Sequence, residues 1–101
     1  MTETEHLLTI ASEECSEIAQ RISKALRFGL DEREPRQPLT NAERIALEVV
    51  DLFAVLEMLA SKIPVDEMMT HKNVQAKKAK VQEYIRYSAD CGTLQADTAE
   101  V

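Results

Sequence analysis

Apolar residues recur at intervals of three and four over the first part of the chain, from about Glu3 to Phe28. This is the period of an amphipathic helix that turns one face to a core. Gly29 follows at the position where helices commonly end, and Arg27 lies in the last turn, where a cation is favourable. The pattern predicts a first helix over about 3–28, with an apolar face formed by Leu7, Ile10, Ala11, Ile18, Ile22, Ala25 and Leu26.

The segment 29–39 contains two prolines and charges of both signs, which predicts a solvated loop. After it, Thr40 and Glu43 form the T-x-x-E pattern of a capping box, so a second helix is predicted from near Asn41. Pro64 stops this helix or opens the next one, which places the end of the second helix at about Lys62.

A third helix is predicted from near Pro64 to about Ser88, and its middle, 72–80, is basic. Residues 89–101 lack periodicity and are expected to form a flexible tail. The predicted organisation is one helical domain over 1–88 followed by this tail. The predicted fold class is all-α, with an antiparallel helical hairpin and a third helix.

The second helix is apolar on nearly every side, since only Glu48, Asp51 and Glu57 interrupt the apolar residues between Ile45 and Ala60. It is shorter than the roughly 18 residues that suggest a membrane span, and two charges lie near its middle. One neighbouring helix covers only one stripe of such a surface. We therefore expect a second copy of the chain to cover the rest, in a helical-bundle homo-oligomer, either a dimer or a tetramer.

Composition narrows the classes of function. Lys and Arg number 12 against 18 Asp and Glu, so the formal charge is −6, and the aromatic residues are two Tyr and two Phe. This argues against binding of long nucleic acids, which needs cationic contacts and often stacking rings. Cys15 and Cys91 have no metal-ligand spacing, and the first residues do not resemble a signal peptide, so a cytoplasmic protein with reduced thiols is expected.

Two pairs of carboxylates carry the chemical signal. Glu14 and Glu17 are three residues apart on the first helix, and Glu48 and Asp51 are three apart among apolar residues of the second. Removing a lone carboxylate from water costs several kcal/mol. In an antiparallel hairpin the two pairs can face each other, where they repel unless cations lie between them. Oxygen ligands without sulfur or imidazole suit Mg²⁺, with Mn²⁺ as the alternative.

Other interpretations of these carboxylates stay open. The first pair also fits a solvated helix face, and the second fits salt bridges to Arg21, Lys24 or Arg44. A di-iron bundle needs Glu-x-x-His on two helices, whereas only Glu3 and His6 have that spacing.

The run 13–17 (EECSE), followed by 48–51 (EVVD), resembles the ExxE and ExxD signature of the MazG-like, all-α nucleoside triphosphate pyrophosphatases. The resemblance extends through 24–29 (KALRFG) and covers roughly 7–88. The run 77–81 (KKAKV), followed by Tyr84, is similar to segments in phage-type members of the family. The 30 residues between Glu17 and Glu48 are somewhat more than is usual for the family, and the proline-containing loop accounts for them.

The resemblance implies Mg²⁺-dependent cleavage of a nucleoside triphosphate between the α and β phosphorus atoms, giving the monophosphate and pyrophosphate. It implies a site in which Glu13 is a candidate base for the attacking water. Glu14, Glu17, Glu48 and Asp51 match the metal ligands of the family. Candidate phosphate-binding residues are Lys24, Arg27, Lys77 and Lys80.

Three functions are therefore distinguished. The first is a MazG-like pyrophosphohydrolase acting on ribo- or deoxyribonucleoside triphosphates. The second is a non-catalytic helical-bundle interaction protein in which the carboxylates are ion-paired, although apolar residues at 48 and 51 would stabilise such a bundle better. The third is a subunit that binds nucleotide without turnover.

Overall fold

The computed structural model describes residues 1–95 and 97, which form α-helices without any strand. The predicted all-α class is confirmed. The chain divides into two compact units, Met1–Pro64 and the part from Val65 onwards. The helices are α1 (Glu3–Phe28), α2 (Asn41–Met58), α3 (Val65–Met68) and α4 (His71–Asp90).

Helix α1 has the predicted bounds, and both ends are capped by local hydrogen bonds. The Thr2 hydroxyl accepts from the Glu5 N–H, while the Thr2 N–H donates to the Glu5 carboxylate, which together form a capping box. At the other end the Gly29 N–H donates to the Ala25 carbonyl over 2.8 Å, with φ of 103° at Gly29. A glycine adopts this φ without the strain that a Cβ would impose.

Helix α2 begins as predicted but ends earlier. The Thr40 N–H donates to the Glu43 carboxylate over 2.9 Å, and the Glu43 N–H donates to the Thr40 hydroxyl over 3.1 Å. The end predicted at about Lys62 is wrong, because the helix stops at Met58. Leu59 is 1% exposed and has φ −98° and ψ 11°, so the chain leaves the helix at this buried residue and continues into an exposed turn.

Helices α1 and α2 form the predicted antiparallel hairpin. Near the loop, the Asn41 side-chain amide donates to the Gly29 carbonyl over 2.8 Å. Farther along, Arg21 of α1 lies beside Glu48 of α2. The two helices therefore run in opposite directions, and the middle of α1 packs against the middle of α2.

One face of α2 remains exposed after α1 has packed against the other. Leu47 is 52% exposed and Val50 is 59% exposed. Met58, two further turns along, is 65% exposed. No helix in the described part of the chain has both the length and the apolar character needed to cross a membrane.

The continuous third helix predicted over 64–88 is wrong, because two helices occupy this region. Between them Thr70 has extended backbone, with φ −91° and ψ 157°, and its hydroxyl accepts from the Asn73 N–H. The Asn73 side-chain amide donates to the Met68 carbonyl over 2.7 Å. These two bonds end α3 and start α4, since a Thr N-cap competes with continued helix.

Helix α4 extends two residues past its predicted end. Of the tail predicted over 89–101, residues 89 and 90 belong to α4. The Thr93 N–H then donates to the Ser88 carbonyl over 3.1 Å. Residues 96 and 98–101 lie outside the described part of the chain.

Candidate metal centre

Three of the four predicted metal ligands lie together. Glu14, Glu17 and Glu48 each offer one carboxylate oxygen, and these oxygens all lie within 4.8 Å of one another. The i, i+3 spacing places Glu14 and Glu17 on one face of α1, and the antiparallel packing brings Glu48 of α2 against them. We call these three residues the carboxylate cluster.

The carboxylate cluster is electrostatically strained. Desolvation, followed by the charges of Glu17 and Asp51, raises the pKa of Glu14 above its ordinary value. Desolvation and the neighbouring Glu17 likewise raise the pKa of Glu48. Like charges and partial burial both disfavour the ionised form, so a cation placed between the oxygens would stabilise it.

Two oxygens of the carboxylate cluster are buried without a partner. Glu14 Oε2 and Glu48 Oε2 are inaccessible to solvent and accept no hydrogen bond from any described residue. A buried acceptor left unpaired costs about 1–3 kcal/mol, and more when it is charged. The cluster therefore has the ligand atoms, the charge and the unsatisfied oxygens that suit a divalent cation.

Asp51 and Glu13 lie at the edge of the carboxylate cluster. Asp51 is exposed and falls outside the set of three whose oxygens converge, yet its charge contributes to the raised pKa of both Glu14 and Glu48. Glu13 is also exposed, and its charge adds weakly to the raised pKa of Glu14. Both residues are thus near the cluster without completing it.

A group of ion pairs adjoins the carboxylate cluster and centres on Glu34 of the loop. The Lys24 ammonium lies 3.5 Å from Glu34 Oε1, and Arg44 Nη1 lies 3.2 Å from Glu34 Oε2. Arg21 Nη1 is 4.0 Å from Glu34 Oε1, while Arg21 Nε is 4.0 Å from Glu48 Oε1. We call Glu34 with these three cations the Glu34 network.

Salt bridges from Arg21, Lys24 or Arg44 to the second carboxylate pair were the alternative interpretation, but most of these contacts are made to Glu34. Only Arg21 reaches Glu48, and Lys24 and Arg44 pair with Glu34 instead. Within the described residues, Glu14, Glu17 and Asp51 take part in no ion pair.

The candidate phosphate-binding residues of α1 border an open cleft beside the Glu34 network. The Arg27 guanidinium lies 4.7 Å from the centroid of the Phe28 ring, a cation–π arrangement. The cleft has a volume of about 480 Å³ and is lined by Lys24, Arg27, Phe28, Glu32, Glu34 and Pro35. It is therefore large enough for a small ligand.

Lys77 and Lys80, the other candidate phosphate-binding residues, lie on α4 in the second unit and are both exposed. They belong to a different compact unit from the carboxylate cluster. Their role in phosphate binding stays a prediction.

Sequence reasoning missed Glu34. The residue lies in a proline-flanked segment with Asp31 and Glu32, and nothing in that pattern distinguishes one carboxylate from the others. The loop is not uniformly solvated as predicted, because the Glu34 side chain is only 31% exposed. Its role becomes evident only when the hairpin brings Arg21 and Arg44 from different helices to the same point.

Comparisons of the chain with known protein families, with curated proteins and with solved structures find no match.

Proposed function

We propose that this protein is a divalent-metal-dependent nucleoside triphosphate pyrophosphohydrolase of the MazG-like type. The observation that carries the proposal is the carboxylate cluster, whose three oxygens converge within 4.8 Å from two helices. Two of its members also have a buried oxygen without a partner among the described residues. Buried, unpaired carboxylates that repel one another destabilise the fold, and a bound cation would offset this cost.

The chemistry of the ligand set favours Mg²⁺ or Mn²⁺. The cluster consists of carboxylates alone, and hard oxygen ligands suit these ions, whereas zinc and iron sites usually include imidazole or sulfur. Glu14, Glu17 and Glu48 would hold the ion, with Asp51 as a ligand through water or after a change of rotamer. When bound, the ion would neutralise phosphate oxygens and lower the pKa of a water molecule.

In the proposed reaction, water forms a bond to the α-phosphorus while the bond from this phosphorus to the bridging oxygen breaks. Pyrophosphate leaves with that oxygen, and the nucleoside monophosphate retains one oxygen from water. Glu13, which is exposed beside the cluster, is the candidate acceptor for the proton of the water. Lys24 and Arg27 at the cleft supply positive charge for the phosphate chain.

The competing function is an interaction protein with ion-paired carboxylates. The contact between Arg21 Nε and Glu48 Oε1, at 4.0 Å, supports that alternative. It accounts for only one of the clustered carboxylates, however, and at the outer limit of an ion pair. The unpaired oxygens of Glu14 and Glu48 favour the metal-dependent function.

We further propose that the chain works as a homo-oligomer. The exposed face of α2 includes Leu47, Val50 and Met58, which are more than half exposed, and monomeric proteins seldom leave such a patch in water. A second copy that placed the same face against it would form a two-fold symmetric helical bundle.

The function is tested by measuring pyrophosphate release from each common ribo- and deoxyribonucleoside triphosphate in the presence of Mg²⁺. The wild type is compared with Glu48→Gln, Asp51→Asn and, as a matched control, Glu57→Gln, which changes an exposed carboxylate of the same helix. We expect release by the wild type and the control, and loss in Glu48→Gln.

Failure of every nucleotide to yield pyrophosphate would exclude the enzyme. Nucleotide binding without product would select the non-catalytic nucleotide-binding subunit instead. Full activity in both Glu48→Gln and Asp51→Asn would show that the site has been misplaced.

A further inference from the structure

Three cations from two helices converge on one loop carboxylate in the Glu34 network. Lys24 and Arg44 approach different oxygens of Glu34, at 3.5 and 3.2 Å. Arg21 Nη1 lies 4.0 Å from Glu34 Oε1, and Nε of the same guanidinium lies 4.0 Å from Glu48 Oε1. Even when Glu48 is counted together with Glu34, three positive charges meet two negative ones.

The cations are incompletely satisfied. The Nη1 atoms of Arg21 and Arg44 are inaccessible to solvent, and neither makes a hydrogen bond of good geometry with a described residue. The Arg44 contact with Glu34 is short, but it is not aligned as a hydrogen bond. Buried guanidinium N–H groups normally have partners, so two such groups at one point indicate a place for an additional or better-shaped acceptor.

Glu34 is an anion held by a loop and not by a helix. The adjacent Arg44 guanidinium holds the pKa of the Glu34 carboxyl below its ordinary value, and Lys24 acts in the same direction. The carboxylate is therefore ionised at neutral pH. The part of the loop before this residue is tied to the start of α2, where the Asn41 N–H donates to the Glu32 carbonyl and the Ala42 N–H donates to the Leu30 carbonyl. Within the loop, the Arg33 side chain donates to the Pro38 carbonyl across Glu34. None of these hydrogen bonds uses the Glu34 side chain, so its carboxylate can rotate away while they remain.

We propose that Arg21, Lys24 and Arg44 form a phosphoryl-binding site that the Glu34 carboxylate occupies in the free protein and leaves when the terminal phosphates of the substrate bind. This inference rests on the proposed function for the identity of the ligand.

A phosphoryl group fits this site better than a carboxylate does. A terminal phosphate offers three oxygens and more negative charge than a carboxylate. It can therefore accept hydrogen bonds from Arg21, Lys24 and Arg44 together, whereas the two oxygens of a planar carboxylate cannot pair well with all three. Arg21 contacts both Glu48 and Glu34, which places the site next to the carboxylate cluster. Lys24 and Glu34 also line the open cleft of about 480 Å³, through which a phosphate chain can enter.

The test is binding of inorganic tripolyphosphate to the full chain in metal-depleted buffer of about 0.15 M ionic strength, measured by calorimetry. The variants are Glu34→Gln and Arg44→Gln. Asp31→Asn removes a negative charge, as Glu34→Gln does, and Arg36→Gln removes a positive charge, as Arg44→Gln does. Both are matched controls, because Asp31 and Arg36 are exposed residues of the loop that carries Glu34. Circular dichroism shows whether each variant is folded, and Lys24→Gln, which also removes one of the three charged donors, replaces Arg44→Gln if the latter is not.

Glu34→Gln removes the competing anion, so we expect tripolyphosphate to bind roughly fivefold more tightly or better. Arg44→Gln removes a charged donor, so we expect affinity to fall roughly tenfold. Each control is expected to change affinity by less than about twofold, since isolated exposed charges are screened.

Unchanged affinity in Glu34→Gln, or an equal gain in Asp31→Asn, would overturn the inference. The pyrophosphohydrolase would stand if nucleotides were still cleaved by the wild type. Conversely, opposite shifts in Glu34→Gln and Arg44→Gln without any nucleotide hydrolysis would support the phosphoryl-binding site and contradict the proposed function.

Discussion

Arg21 Nε lies 4.0 Å from Glu48 Oε1, and the other end of the same guanidinium faces Glu34. One side chain of α1 thus joins the carboxylate cluster to the Glu34 network. The carboxylate cluster and the Glu34 network are therefore neighbours. This combination suits a ligand with one phosphate group bound to a metal ion and another bound to cationic side chains.

The first prediction concerns the anchoring of the loop by Asn41. This side chain is 1% exposed, and its Nδ2 donates to the Gly29 carbonyl over 2.8 Å and to Glu32 Oε1 over 3.0 Å. Asn41→Ala removes both hydrogen bonds, one of them to a carboxylate, so we expect a loss of about 2–3 kcal/mol in the free energy of unfolding. Denaturant unfolding measures this loss, and Gln37→Ala, at an exposed loop position, is expected to stay within about 0.5 kcal/mol. An equal loss in both variants would contradict the anchoring role.

The second prediction concerns the pH dependence of the α2 capping box. Hydrogen bonds from Thr40 lower the pKa of Glu43 below its ordinary value of 4.5. The ionised carboxylate therefore contributes stability above pH 4.5, and this contribution is lost as the pH falls through the lowered pKa. Glu43→Gln keeps a capping side chain that does not titrate.

Thermal melting of wild type and Glu43→Gln between neutral and strongly acidic pH measures this effect. The melting temperature of the wild type, relative to the variant, is expected to fall as the solution becomes more acidic than pH 4.5. A difference that stays constant over the whole range would show that the charge of Glu43 does not support the cap.

The capping box also shows how far local sequence determines this fold. Thr40 and Glu43 predicted the start of α2 correctly, and Gly29 predicted the end of α1, because each depends on neighbouring residues alone. The same T-x-x-E pattern at Thr2 and Glu5 could have been used for the start of α1. Helix boundaries set by local hydrogen bonds were thus accessible from the sequence.

Helix boundaries that depend on tertiary burial or on competing caps could not be predicted from the sequence. Leu59 continues the apolar pattern of α2, yet it turns into the interior and ends the helix. Thr70 lies within an otherwise helical pattern, and its capping role depends on Asn73 also reaching the Met68 carbonyl. Both features required knowledge of where the side chains point.

The same distinction applies to the candidate site. Spacing alone was sufficient to pair Glu14 with Glu17, and antiparallel packing brings Glu48 to them. The relative depth of Glu48 and Asp51 depends on how α2 is rotated about its axis, which the sequence does not specify. Glu34 could not be predicted, since its position depends on the path of the loop.

The third prediction concerns stabilisation by metal. If the carboxylate cluster binds Mg²⁺, a concentration of 100 times the dissociation constant adds about 2.7 kcal/mol to the free energy of unfolding. For a small domain this corresponds to a rise of about 10 °C or more in melting temperature. We expect this rise in the wild type and in Glu57→Gln, but not in Glu48→Gln. A similar rise in all three proteins would place the metal elsewhere.

The fourth prediction concerns the exposed face of α2. Val50 is 59% exposed, so Val50→Lys is expected to leave the fold of a monomer intact while disrupting association through this face. Light scattering coupled to gel filtration should show a homo-oligomer for the wild type and a smaller species for the variant. The matched control is Leu26→Lys, since Leu26 is an apolar residue of α1 that is 83% exposed. A monomeric wild type would contradict the proposed assembly.

The proposed reaction is tested most directly by hydrolysing, in ¹⁸O-labelled water with Mg²⁺, a nucleoside triphosphate that the protein accepts, followed by ³¹P NMR of the products. Because water attacks the α-phosphorus, we expect the label in the nucleoside monophosphate, unlabelled pyrophosphate, and neither product from Glu48→Gln. Label in pyrophosphate, release of orthophosphate with a nucleoside diphosphate, or equal turnover by Glu48→Gln would contradict it.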